Sequence, residues 1–156
     1  MAFSYKDCIK EGLLRKIPPS EDKAKSSLKK AESWLEDAEK SLKGEALNSS
    51  VLSSYMAMFH AARSILFFDG FREKSHACVA RYLEEKYVNI KKLEKKWVEV
   101  LDHQREIRHE GQYDLSFFST EKEAKEALDS AKNFLERIKQ LLNLLIKEKG
   151  EKNSSS

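Results

Sequence analysis

One segment limits the possible folds more than any other: "VLSSYMAMFHAARSILFFDGF", Val51 to Phe71. Tyr55, Met58, Phe59, Ala62, Ile65 and Leu66 recur at helical spacing and line one side. Leu52, Met56 and Phe67 widen that side beyond the stripe of an ordinary surface helix. The pattern predicts a helix from about Leu47 to Phe68 that must lie at the centre of the fold, with other helices around it.

The rest of the chain supplies those helices. "IPPS" at Ile17 to Ser20 separates a short amphipathic piece (Phe3, Cys8, Ile9, Leu13, Leu14) from a helix capped by Ser20. Glu21 and Asp22 suit the positive start of that helix, Ala24, Leu28, Ala31, Leu35, Ala38 and Leu42 form its inner face, and Gly44 ends it. "DGF" at Asp69 to Phe71 breaks the central helix. A further helix is predicted from about Ser75 to Tyr87, with Val79, Tyr82, Leu83 and Tyr87 inward. Another spans roughly Lys91 to Glu110, with Leu93, Trp97, Val100, Leu101, Gln104, Ile107, Arg108 and Gly111 near one face. "QYDLSFFST" reads as a loop, and Ser119 or Thr120 caps a last helix whose inner positions run from Ala124 to Leu145. The polar end "EKGEKNSSS" is expected to fray, and no strand pattern is evident. Short links favour antiparallel neighbours, so the expected fold is all-α: an antiparallel up-and-down bundle of four long helices plus one or two short ones. Its parts are a short helical segment over 1–18, the bundle over 19–148 and a disordered tail over 149–156.

Composition narrows the function classes. The net charge is only +3, from large and nearly balanced totals of each sign, so any nucleic-acid contact must come from local clustering of charge. Cys8 and Cys78 are far apart and in no CxxC, so neither a structural disulfide nor a zinc site is expected. The N-terminus lacks the apolar run of a secretory signal, and the apolar stretches read as shorter than the ~18 residues of a membrane span. A cytoplasmic protein with no membrane partner and no cofactor is the expectation.

Two polar clusters carry the candidate chemistry. In "REIRHEGQYDLS", Arg105 and Arg108 border the apolar stripe of their helix, where a cation needs a carboxylate, a phosphate or a partner subunit. They can also snorkel to solvent at the helix end. His109 can move protons while Arg108 holds a phosphate, which is the chemistry of RNA cleavage, or it can simply be a solvated residue. The second cluster holds Tyr55, His60 and Arg63 on the apolar helix, with Lys74 and His76 after the turn. Its structural reading is a satisfied core tyrosine and an arginine paired with a glutamate. His60 and His76 lack the acidic residues at ligand spacing that a metal site would need.

Together "SYMAMFHAARSILFFDGFREKSHACV", "REIRHEGQYD" and "EAKEALDSAKNFLERI" resemble the HEPN family (higher eukaryotes and prokaryotes nucleotide-binding), in its small stand-alone prokaryotic branch. The resemblance covers roughly Ser20 to Lys147. It implies a four-helix bundle, often a two-fold homodimer, and partnership with a small nucleotidyltransferase, commonly as a toxin–antitoxin pair. Active members carry an arginine, a polar residue directly after it, and a histidine a short spacing further on. Arg108 and His109 match the first two. The histidine should fall at Tyr113, Asp114 or Leu115, and none is a histidine. Starting instead from Arg105 puts Glu106 at the polar position and His109 one residue too early. The implied role is therefore nucleotide or RNA binding through Tyr55, His60, Arg63, Lys74, His76, Arg105, Arg108 and Tyr113, beside a degenerate ribonuclease motif. The alternative is a ribonuclease toxin using Arg108 and His109 in a rearranged site.

Overall fold

The computed structural model describes residues 3–154. A short helix α1 (Tyr5–Lys10) and a strand β1 (Leu14–Lys16) lead into α2 (Glu21–Lys43) and α3 (Leu47–Asp69). Strand β2 (Phe71–Glu73) then precedes α4 (His76–Leu83), which continues as a π-helical turn over Glu84–Val88. Helices α5 (Lys95–Tyr113) and α6 (Glu121–Ser154) complete the chain. The long helices α2, α3, α5 and α6 form the expected all-α bundle, with α1 and α4 as its short helices.

Helix α3 is the centre because it has almost no polar face. It packs against α2, α6, α5 and α4, and Tyr55, Ala57, Met58, Ala61, Ala62, Ile65 and Leu66 are fully buried. By length and composition α3 could cross a membrane, which the sequence reading did not expect of any segment; 72% of its most apolar window is buried inside the bundle, as befits a core helix. Alanines at Ala24, Ala31 and Ala38 bring α2 close to it. Two serines tie the pair: Ser27 Oγ donates to the His60 carbonyl at 2.6 Å, and Ser50 Oγ donates to the Ala38 carbonyl at 2.8 Å.

Helix ends follow local rules. Ser20 Oγ accepts from the Lys23 N–H at 3.0 Å. Thr120, not Ser119, caps α6: its Oγ1 accepts from the Glu123 N–H at 3.1 Å, while Glu123 Oε1 accepts from the Thr120 N–H at 3.2 Å. Gly70 ends α3 at φ 91°, and a Cβ there would lie 2.7 Å from the Ile17 carbonyl, so only glycine fits.

Four expectations are corrected. First, Cys8 and Cys78 form a disulfide with both residues fully buried and Cα atoms 5.9 Å apart. Spacing could not reveal it, because the pair meets only once α1 folds back on α4. Disulfides persist in oxidising compartments and in intracellular proteins of hyperthermophiles, so the staple carries no weight for a cytoplasmic location. Second, β1 and β2 make an antiparallel ribbon, with Arg15 opposite Arg72. Three-residue strands are too short to show a period of two. Third, α5 begins at Lys95, later than expected, and extends through Tyr113, so Gly111, Gln112 and Tyr113 are helical. Fourth, α6 continues through the polar residues after Glu148 to Ser154, carried by the helix propensity of its lysines and glutamates.

Candidate functional site

The start of α4 and helix α5 enclose a cleft of ≈ 380 Å³, lined by Ser75, His76, Arg105, Arg108, His109 and two carboxylates, Glu106 and Glu110. Tyr55 forms the buried backing. Its hydroxyl lies 3.0 Å from Nδ1 of His76, and burial pushes its pKa up to about 12 even with Arg108 and Arg105 nearby. The phenol is therefore protonated at neutral pH. When Nδ1 accepts from it, the other ring nitrogen of His76 carries the proton and is a donor.

His76 occupies the first turn of α4 and is held from two sides. Its ring stacks on Phe59 with centroids 3.9 Å apart and planes 14° from parallel. Burial, then the charges of Arg108, Arg63 and Arg105, holds its pKa down to about 4. At neutral pH the ring is uncharged.

The two arginines differ in their partners. Asp102, one turn before Arg105 on α5, lies 3.4 Å from Arg105 and is also the ion-pair partner of Arg81 on α4. One carboxylate is thus shared by two guanidinium groups. Arg108 has no carboxylate within ion-pair distance among the described residues; its NH1 donates to Gln112 Oε1 at 2.9 Å. The Arg108 guanidinium lies 4.9 Å from the centroid of the Tyr55 ring. Arg108 also borders a second cavity of ≈ 130 Å³ with Asn48, Leu52 and Ser119, so its side chain is the ridge between two hollows. The Nε atoms of both Arg105 and Arg108 are buried without a hydrogen-bond partner among the described residues.

The other predicted residues divide. His109 lines the cleft, and its ring lies 4.8 Å from that of Tyr113, which is 68% exposed. Arg63 is absent from the cleft lining: it is 2.6 Å from Glu73 and lies over the Phe59 and Phe67 rings. His60 sits edge-on to Phe59 at 5.4 Å, and burial, with Arg63, Lys30 and His76 adding, lowers its pKa to about 4. Lys74 is exposed and does not line the cleft; its N–H donates to the Leu13 carbonyl beside the ribbon. Sequence reasoning missed Phe59 as the platform for His76, and Asp102 as the shared anchor. The one legible signal was the spacing of Asp102 and Arg105, which are helix neighbours.

The fold is thus an all-α helical bundle with one cleft lined by two arginines, two histidines and two glutamates. The model of the HEPN domain family matches residues 24–141, and the chain belongs to the HEPN family. It is also similar to a UPF0332 protein of Thermotoga maritima, 27% identical over 114 residues, which are 73% of this chain and 86% of that protein.

Proposed function

We propose that this HEPN protein binds the phosphate of a nucleotide or RNA in the cleft between α4 and α5. The observation that carries the reading is Arg108, a guanidinium without a carboxylate partner among the described residues, set beside Arg105 and His76. A guanidinium can fork onto a phosphate with two parallel N–H donors. His76 adds a neutral donor, and Tyr113 adds an exposed ring on which a base can stack. Glu106 and Glu110 also line the cleft, and their carboxylates repel an anion that approaches them. The test is fluorescence anisotropy with a labelled single-stranded RNA. Binding that weakens with salt and with Arg108→Ala supports the reading, and unchanged binding in Arg108→Ala ends it.

The proposal extends to assembly. A small nucleotidyltransferase is the expected partner, and co-purification of the native complex tests it. A homodimer through the surface around α5 is also proposed. Trp97 gives it little support, because its ring packs on Phe134 with centroids 6.3 Å apart. The support lies just after α5, where Leu115 and Phe118 are 95% and 74% exposed. Light scattering at micromolar concentration decides between monomer and dimer.

One observation favours a ribonuclease as a second reading: His76 and His109 line the same cleft as both arginines. With the Nδ1 of His76 occupied by Tyr55, the imidazole of His109 is the one that can accept the proton of a ribose hydroxyl, while a guanidinium stabilises the developing phosphorane charge. Against it, the position where the family's histidine falls is held here by Tyr113, Asp114 or Leu115. A tyrosine hydroxyl lacks the proton-accepting chemistry of a histidine at neutral pH. RNA cleavage lost in both His109→Ala and Arg108→Ala would favour the second reading over binding alone.

A further inference from the structure

A third concavity shares no lining residue with the arginine cleft. It measures ≈ 560 Å³ and lies between α1 and the β-ribbon. Tyr5, Ile9, Leu14 and Phe71 supply its apolar surface, and Ile9 remains 44% exposed. Its charged lining consists of Lys6, Lys10, Lys16 and Lys86, with no acidic residue. Lys86 Nζ lies 5.1 Å from the centroid of the Tyr5 ring, so one ammonium sits against the apolar wall. The wall on the α1 side is anchored to α4 through the Cys8–Cys78 disulfide.

Strand β1 offers this groove an open edge. The Lys74 N–H donates to the Leu13 carbonyl and the Ile17 N–H donates to the Gly70 carbonyl. Arg15 is opposite Arg72 between them, so the odd-numbered positions of β1 face β2. The main-chain groups of Leu14 and Lys16 point away from β2 and have no hydrogen-bond partner among the described residues. Leu14 and Lys16 are also the two β1 residues that line the groove.

We infer that this groove takes an extended acidic segment of a partner protein, which pairs with the free edge of β1 and turns into the groove a face that carries both apolar side chains, set against Tyr5, Ile9 and Phe71, and carboxylates, set against the four lysines. Strand addition supplies main-chain hydrogen bonds, and alternate side chains supply specificity. Lysines on an edge strand normally discourage pairing with other strands. Here they discourage neutral and basic strands and leave an acidic one favoured, so the same charges both protect the edge and select its partner.

The test uses the intact disulfide-bonded chain and a short synthetic peptide of repeating Glu-Glu-Val-Val, in which each face of the strand carries both glutamate and valine. NMR amide exchange reads the binding mode, because strand addition protects the N–H groups of Leu14 and Lys16. The expected result is protection of those amides at saturation. Affinity should fall about tenfold or more in the Lys10→Glu/Lys16→Glu double variant, and fall again in high salt. Both lysines are exposed, so an unchanged melting temperature verifies that the variant is folded. A peptide with lysine in place of glutamate should not bind. Absence of binding at millimolar peptide overturns the inference. So does equal affinity for the lysine peptide, or binding that leaves Leu14 and Lys16 unprotected. Protection of the same amides by raising the protein concentration alone would assign the groove to a second copy of this chain and overturn the acidic partner.

Discussion

The Arg108 guanidinium lies over the ring of Tyr55, 4.9 Å from its centroid, and the hydroxyl of that ring is 3.0 Å from His76. Three helices thereby meet through three side chains. Tyr55 is fully buried on α3, so the positions of His76 on α4 and Arg108 on α5 are referred to the central helix of the bundle. A cation over a tyrosine face contributes about 0.5–2 kcal/mol, enough to orient a guanidinium and too little to neutralise it.

Arg108→Ala should therefore weaken RNA binding about tenfold or more while leaving the fold intact, and Arg108→Lys should recover only part of the loss. Lysine keeps the charge but cannot fork onto a phosphate or lie flat on Tyr55. Anisotropy titrations at several salt concentrations give the check. Full recovery by lysine would show that only net charge matters.

Stability should fall as the pH drops from about 6.5 toward 4. His60 and His76 are held down to about 4, against an ordinary value of 6.5. Below 6.5 the unfolded chain takes up protons that the folded chain refuses, so the contribution present above 6.5 is lost through that window. Asp69 and Glu73, raised by burial, act in the opposite sense at the acidic end. The histidine effect is thus best read in the upper half of the window. Melting temperature should decline there, and less so in His60→Gln. A bound phosphate favours the His76 cation, so RNA affinity should rise as stability falls. A pH-independent affinity in the unmodified protein would place the phosphate away from His76.

Arg63→Ala should cost stability without affecting RNA binding. Its partner Glu73 is only 6% exposed at the side chain, and removing one member of a buried ion pair costs about 3–5 kcal/mol. Urea unfolding measures the loss, and anisotropy at a temperature where the variant is folded measures binding. Weakened binding in the folded variant would return Arg63 to the ligand site.

Breaking the Cys8–Cys78 bond should lower stability by about 4 kcal/mol, on the chain-entropy estimate for a loop of this length. The Cys8→Ser/Cys78→Ser protein, compared with the oxidised protein in urea, supplies the number. Intact mass without reductant verifies the bond itself. Two free thiols in the native folded chain would refute it.

The sequence by itself determined the class of fold and the placement of its centre. Apolar residues at helical spacing on Leu47–Asp69 leave that helix nowhere to go but inside, and alanines on α2 and α6 dictate what packs against it. Caps at Ser20 and Thr120 were legible because they act within one turn. What only the tertiary structure decided were contacts without a local pattern: Cys8 with Cys78, Arg81 with Asp102, and the pairing of two three-residue strands. The same holds for the division of the basic residues. Arg63 and Arg108 look alike in the chain, yet Arg63 is paired with Glu73 while Arg108 has no acid in reach among the described residues. A helix's own periodicity states which side of it is buried. It says nothing about which residue of a distant element arrives on that side, and that residue decides whether a charge is spent on the fold or left for a ligand.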